Sequence, residues 1–295
     1  MAEATVAGDP SMPDLLARQE RFAVVGSTND VVRGWLADGT PEVCLAIADE
    51  QSAGRGREGR TWHAPAGRAL LLSLGFRPTW LAPDHVWRLA ATVSLAMADA
   101  AEEVAGLPDR AVRLKWPNDL VAETLGAALP IAPQVADGVR KLGGVLGETS
   151  GLGGHDPCAV VGLGLDTDWA PADFPAELSD SMTSLLALSA GRPIDHAALL
   201  DAFLGRLEVR IEALRGGRFD VADWTDRQIT TGRDVRLVDP DGAETTARAL
   251  GVDARNGALV VEDRTTEGGE RAVVVGEIRH VRLAESSGPP VGSGV

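Results

Sequence analysis

Lysine is nearly missing from this chain. Of its 28 basic residues among 295, only Lys115 and Lys141 are lysine, and the rest are arginine. Tyrosine is absent, and cysteine occurs twice. Cys44 and Cys158 stand alone, with no CxxC and no Cys/His cluster, which argues against a zinc site or a disulfide framework. Positive charge is short overall: 28 basic residues against 43 acidic give a net charge of −15. Coating nucleic acid or a polybasic grip on a membrane needs a positive field, so neither is expected. Long apolar runs are missing too. The longest, Ala69 to Phe76, is far too short to span a bilayer. The N-terminal MAEATVAGDPSMPD has neither a basic region nor an apolar one and does not read as a signal peptide, so a cytoplasmic protein is expected.

What is present is globular. The chain is 44% hydrophobic and 24% charged, enough for a real core in one or two domains. Residues 1–12 and 285–295 are small, polar and proline-bearing, and read as flexible tails. Between them, strand and helix patterns alternate. Strands are expected at Arg21–Val25, Val43–Asp49, Ala69–Phe76, Val112–Trp116, Gly143–Glu148 and Ala159–Leu165. Helices are expected from Ser27 or Thr28 to Gly39, from Asp84 to about Val104, and from an Asp195 cap to Gly216. Residues 123–139, apolar with two prolines, read as a loop insertion. After about Gly232 short strand patterns alternate with the turn signals Asp239-Pro-Asp-Gly242, Asn256-Gly257 and Glu267-Gly-Gly269. This texture suits a small barrel over 232–284, with a domain boundary near 231.

Five segments carry candidate chemistry. Asp49-Glu-Gln-Ser-Ala-Gly-Arg-Gly-Arg-Glu-Gly-Arg-Thr-Trp62 alternates three glycines with Arg55, Arg57 and Arg60. Glycines let backbone approach a ligand, and the arginines suit an anion with several oxygens. It is neither a Walker loop nor a dinucleotide fingerprint, and a solvated Arg/Gly loop is the plainer alternative. In Leu114-Lys-Trp-Pro-Asn-Asp-Leu120, Pro117 ends a strand and projects Asn118 and Asp119 beside Lys115; an ordinary turn would look the same. Lys141-Leu-Gly-Gly-Val-Leu-Gly-Glu148 places a lone lysine before a glycine-bearing strand, and a loop lysine beside a tight turn is the alternative. Gly26-Ser-Thr-Asn-Asp30 reads first as a helix cap, though its side chains also suit a polar heterocycle. Gly162-Leu-Gly-Leu-Asp166 is a strand on which a planar ligand could lie close. In a chain so biased to arginine, the two surviving lysines mark positions where a compact ammonium is needed, or else chance survivals.

Together and in this order, the five segments resemble the biotin protein ligase (biotin–acetyl-CoA-carboxylase ligase) family over about residues 22–284. The resemblance implies an α+β fold: a mixed sheet with flanking helices, related to class II aminoacyl-tRNA synthetases, over 13–231, then an SH3-like barrel over 232–284. It implies two reactions: biotin and ATP, with Mg²⁺, give biotinyl-5′-AMP, and the biotinyl group then passes to a lysine on a biotin carboxyl carrier protein or domain of an acyl-CoA carboxylase. By motif, Ser27, Thr28, Asn29, Gln51, Gly54, Arg55, Gly56, Arg57 and Lys141 would bind biotin. Arg57, Arg60, Trp62, Asn118 and Asp166 would bind ATP. Lys141, Arg57, Lys115 and Asp119 would be catalytic, with Asp119 positioning or deprotonating the acceptor lysine. No metal-ligating set on the protein is implied. Asp166 departs from the family, which usually carries Asn there, and so sets a carboxylate near ATP. The insertion at 123–139 is longer than is typical. About 20 residues precede the first strand, too few for the helix-turn-helix of members that also repress transcription. A monofunctional ligase that binds no DNA and no membrane, monomeric or weakly dimeric, is therefore expected. The alternatives are a lipoate or octanoyl ligase of the same fold and a non-catalytic biotin sensor.

Overall fold

The computed structural model describes residues 15–124, 138–266, 268–274 and 280–283. These fall into two compact units that divide between Arg227 and Gln228.

The first unit is built on a seven-stranded sheet. Its strands are β1 (Arg18–Val25), β2 (Cys44–Gln51), β3 (Ala69–Phe76), β4 (Val112–Lys115), β5 (Asp119–Glu123), β6 (Val139–Ser150) and β7 (Cys158–Asp166). Their order across the sheet is β1-β2-β3-β7-β6-β5-β4. Only β1 and β2 run parallel. The two central strands are apolar without alternation, because both faces are covered. Every residue of β3 is buried, as is all of β7 after Cys158.

Helices cover the sheet. α1 (Thr28–Ala37) lays Val32, Trp35 and Leu36 against Cys44, Ala46 and Val160. α2 (Trp87–Ala105) follows a short turn at Pro83–His85, so the regular helix starts three residues later than Asp84. It is rich in alanine, which lets it approach the sheet closely. It ends at Gly106, left-handed at φ 59°, where the Leu107 N–H closes back on the Glu102 carbonyl at 2.8 Å. α3 (Leu185–Leu188) is a single turn. α4 (His196–Arg215) packs on α2; Asp195 caps it, accepting from the N–H groups of Ala197 and Ala198. α5 (Val221–Asp226) closes the unit.

Arg227, 2% exposed, ties α2, α5 and β4 together. It pairs with Asp99 at 2.5 Å, Glu102 at 2.8 Å and Asp223 at 3.3 Å, and donates to the Val112 carbonyl.

The expected strands and long helices are present with shifted ends, but β5, α3 and α5 were not anticipated. Glu123 and Val139, the ends of the expected loop insertion, are strand residues. Residues 125–137 of that insertion lie outside the described residues. So does Glu267 of the third turn signal.

The second unit is a five-stranded antiparallel sheet: β8 (Asp234–Val238), β9 (Glu244–Val252), β10 (Leu259–Glu262), β11 (Glu270–Val273) and β12 (His280–Leu283), ordered β11-β10-β9-β8-β12. The turn signals fall between strands as expected: Gly242 at φ 91° joins β8 to β9, and Gly257 at φ 74° joins β9 to β10. Among the described residues, no helix is long and apolar enough to cross a membrane.

Candidate active site

Residues paired across antiparallel strands share a face, as do residues two apart. Lys115 pairs with Asp119, Asp119 with Gly144, Gly144 with Gly164, and Gly164 with Leu71. Lys141 and Gly144 are three apart and would ordinarily point opposite ways. The register of β5 on β6 shifts between Leu120 and Val121, which leaves Leu142 as an extra residue. This bulge turns Lys141 to the face of Asp119. Gly162, opposite Ser73, and Asp166, opposite Ala69, lie two residues either side of Gly164 and share that face. One side of the sheet thus carries both lysines, both acids and a floor of glycines.

The floor is bare because side chains descend onto it. A Cβ on Gly162 would stand 2.2 Å from Asn29 Oδ1, and one on Gly164 2.5 Å from Trp62 Cε2. Asn29 arrives from the start of α1. Ser27 holds the N-cap position but makes no side-chain cap bond, so the capping reading of this run does not hold for its hydroxyl. Thr28 and Asn29 turn inward instead. The Thr28 N–H and hydroxyl both donate to Gln51 Oε1, at 2.8 and 3.1 Å. Ser73 Oγ lies 2.7 Å from Thr28 Oγ1 and 2.6 Å from Asn29 Oδ1. Ser27, Thr28, Asn29 and Ser73 are all buried. They form a dense polar pocket at one end of the floor.

The Gly/Arg loop is an ordered hairpin. The Trp62 N–H donates to the Gly54 carbonyl at 2.9 Å, and the Gly56 N–H to the Arg60 carbonyl at 2.7 Å. Gly54 is required because a Cβ there would meet the Trp62 carbonyl at 2.5 Å. Arg55 grips Asp30 with two bonds of 2.6 and 2.8 Å and approaches Glu148 at 3.4 Å. Glu148 also takes Asn29 Nδ2 at 2.7 Å and Arg33 at 2.6 Å. The Arg55 bond, with Arg33, holds the Asp30 carboxyl below its usual range. Arg57 turns in. Its Nη2 is buried with no hydrogen-bond partner among the described residues, and burial makes its charge less favourable than usual. Arg60 is exposed, near enough for its charge to oppose that of Arg57.

The other end is cationic. Asp119 sits between Lys141 Nζ at 2.6 Å and Lys115 Nζ at 3.3 Å. Burial alone would raise the Asp119 pKa, but the two ammonium groups outweigh it and hold the carboxyl below its ordinary range. Lys141 Nζ is 5.5 Å from the centre of the Trp62 ring. The Lys141 backbone is clamped by Ser181 and Thr183, with bonds of 2.8 Å each. Asn118 pins the β4–β5 turn: its Nδ2 donates to the Val145 carbonyl at 2.9 Å. Asp166 is 3% exposed, and burial pushes its carboxyl up to about 8 against the pull of Lys141.

Residues 22–166 match the biotin/lipoate A/B protein ligase family. The biotin–[acetyl-CoA-carboxylase] ligase of Mycobacterium tuberculosis is 32% identical over 265 residues, 88% of each chain. This chain belongs to that family. The bifunctional ligase/repressor of Bacillus subtilis is 29% identical over 83% of this chain and 69% of its own length. Among solved structures, the biotin protein ligase of Aquifex aeolicus, determined with biotin and ATP, aligns at a TM-score of 0.70. It covers 90% of this chain and 99% of that one, at 23% identity, a likeness of fold.

In this family member, the structure gathers Thr28, Asn29 and Gln51 in one pocket, and Lys115, Asp119 and Lys141 in one cluster. Trp62 and Asp166 lie beside that cluster. Arg55 is committed to ion pairs, and Arg60 is exposed. Sequence reasoning passed over Ser73, Glu148 and Asp30. Ser73 did leave a signal: it is the one polar residue in the apolar run Ala69–Phe76. Asp30 ends the Gly26–Asp30 motif and Glu148 the Lys141–Glu148 motif, but only the fold brings them to Arg55.

Proposed function

We propose that this chain is an ATP-dependent biotin protein ligase that joins biotin to AMP and then passes the biotinyl group to a carrier lysine. In the first step the biotin carboxylate attacks the α-phosphorus of ATP and pyrophosphate leaves. In the second the acceptor amine attacks the activated carbonyl, AMP leaves, and the amine proton is lost. The observation that carries this reading is the shared sheet face, on which a polar pocket and a cationic cluster are joined by a side-chain-free floor. The pocket offers donors and acceptors in a fixed pattern, suited to a ureido ring. Lys141 and Arg57 offset the repulsion between carboxylate and phosphate and stabilise charge growing at phosphorus.

Asp119 holds both ammonium groups in place. Its lowered pKa makes it a weak base, so we assign it to positioning Lys141 and to drawing in the acceptor ammonium rather than to removing its proton. Trp62 would pack against adenine. Mg²⁺ would travel with the triphosphate, whose oxygens and waters suit it.

The acceptor we infer is a biotin carboxyl carrier domain of an acyl-CoA carboxylase, met in the cytoplasm by a monomer or weak homodimer. A second reading, a biotin sensor without turnover, is separated by one assay. Pyrophosphate release that requires both biotin and ATP is expected; its absence in well-folded protein would favour the sensor.

A further inference from the structure

Asp166 is the unusual member of this site. It ends β7 with its side chain on the ligand face, and its Oδ1 is buried with no hydrogen-bond donor among the described residues. An orphaned oxygen in the interior forfeits its hydration and is costly unless something meets it. The strand end that carries it is fixed. The N–H groups of Thr167 and Asp168 both donate to the Arg68 carbonyl, at 3.1 and 3.0 Å. Its surroundings are apolar on one side, where Ala69, Leu71 and Met182 form a cluster against which Trp62 packs. Other unpartnered polar atoms border the same end of the cleft. The Trp62 Nε1 lies 2.9 Å from where a Gly164 Cβ would be, and Thr183 Oγ1, one residue past Met182, is also orphaned.

The charged neighbours can be placed one by one. From β6, Lys141 favours the carboxylate form, but it is already held by Asp119 of β5, which shares its field with Lys115 of β4. From α4, His196 bonds Asp168 at 2.7 Å and Thr167 at 2.8 Å, so it answers the next two residues. From the hairpin, Arg57 is nearest to Glu58 and Asp119 in its charge interactions. Asp166 thus has one positive neighbour whose charge is largely spent. A buried carboxyl in that setting keeps its proton. A cation at Asp166 would need further oxygen ligands and would meet the Lys141 ammonium. The side chain fits a donor better than a metal ligand.

We propose that Asp166 meets the nucleotide as the neutral acid, giving its proton into a hydrogen bond with an acceptor atom of ATP and of the acyl-adenylate. This rests on the ligase reading above. It resolves the apparent clash of a carboxylate with a triphosphate: the acid supplies one donor, as an asparagine amide would, and adds no charge. Ionisation removes the donor and sets a negative charge against the phosphates. Nucleotide affinity therefore falls as pH rises through the Asp166 titration, and binding above that point takes up a proton.

The test is calorimetry of ATP with Mg²⁺ on the full chain, from about pH 7 to about pH 9, in buffers of different ionisation enthalpy. Biotin affinity is followed alongside. The wild type is expected to lose about tenfold in ATP affinity across this range and to take up close to one proton at the upper end. In Asp166→Asn the slope and the uptake both vanish, while biotin affinity in the wild type stays flat. A second readout is the infrared carbonyl band of a protonated carboxylic acid, present in the wild type at neutral pH and lost in the variant. A flat wild-type profile, or a slope that survives in Asp166→Asn, overturns the proposal. So does a loss of affinity in Asp166→Asn seen only with Mg²⁺, which would make Asp166 a metal-linked carboxylate. Should the variant not fold, proton uptake by the wild type decides alone. Should the wild type release no pyrophosphate with biotin at pH 7, the ligase reading fails instead.

Discussion

Lys141 shows why an arginine-rich chain keeps a lysine. Its ammonium fits between Asp119 Oδ1 at 2.6 Å and a bare stretch of floor, 3.4 Å from where a Gly144 Cβ would stand. A planar guanidinium is wider and presents a fork, not a point charge. Lys141→Arg is expected to slow adenylate formation by well over tenfold, meaning more than about 1.4 kcal/mol of transition-state stabilisation. Single-turnover formation of acyl-AMP reads this, and a near-wild-type rate would make the lysine incidental. Asp166 carries a second expectation, in stability. Its folded pKa, about 8, lies above the unfolded value, so the folded state binds a proton that the unfolded state has lost. Stability then falls as pH rises from the unfolded pKa to the folded one, by up to about 1.4 kcal/mol for each pH unit in that window. Replacing the acid by an amide removes that cost. The Tm gain of Asp166→Asn over the wild type should be small near pH 4, grow through neutral pH and level off above about pH 8. A gain independent of pH would refute the protonated state.

At the scale of elements, the floor of β6 and β7 is what joins the two ends of the site. Gly162 clears room for Asn29 and Gly164 for Trp62. The two alanine variants should therefore separate the ends. Gly162→Ala displaces Asn29 and is expected to weaken biotin binding by at least about tenfold, with less effect on ATP. Gly164→Ala displaces Trp62 and should do the reverse. Equal losses for both ligands in both variants would mean that the cleft is not divided in this way.

These elements also mark what the sequence revealed. Apolar runs disclosed β3 and β7, and Asp195 with Gly216 disclosed α4, because burial and caps leave local signals. β5 was hidden: five residues that begin on the Asp of a Pro-Asn-Asp turn look like the start of a loop. The Leu142 bulge was hidden as well, since a register is a property of two strands, and without it Lys141 would seem to face away from Gly144. Arg227 was invisible for a similar reason. Its partners Asp99 and Glu102 lie more than a hundred residues earlier, and only the fold collects them.

Over the whole molecule, the net charge of −15 sets the background against which the site works. Near the site, Arg33 and Arg55 are neutralised locally by Asp30 and Glu148. Lys115 and Lys141 share one carboxylate, Asp119, and Arg57 adds its charge to the same end of the cleft, leaving positive charge where two anions must meet. The motifs were legible at this scale because they survive in order along the chain; their convergence on one sheet face was not. The central claim is that this face activates biotin in particular. The most direct measurement is mass spectrometry of the acyl-AMP formed when the full chain is incubated with ATP, Mg²⁺ and either biotin, lipoate or octanoate. Biotinyl-AMP alone is the predicted product. Lipoyl-AMP or octanoyl-AMP formed in place of biotinyl-AMP would contradict the account.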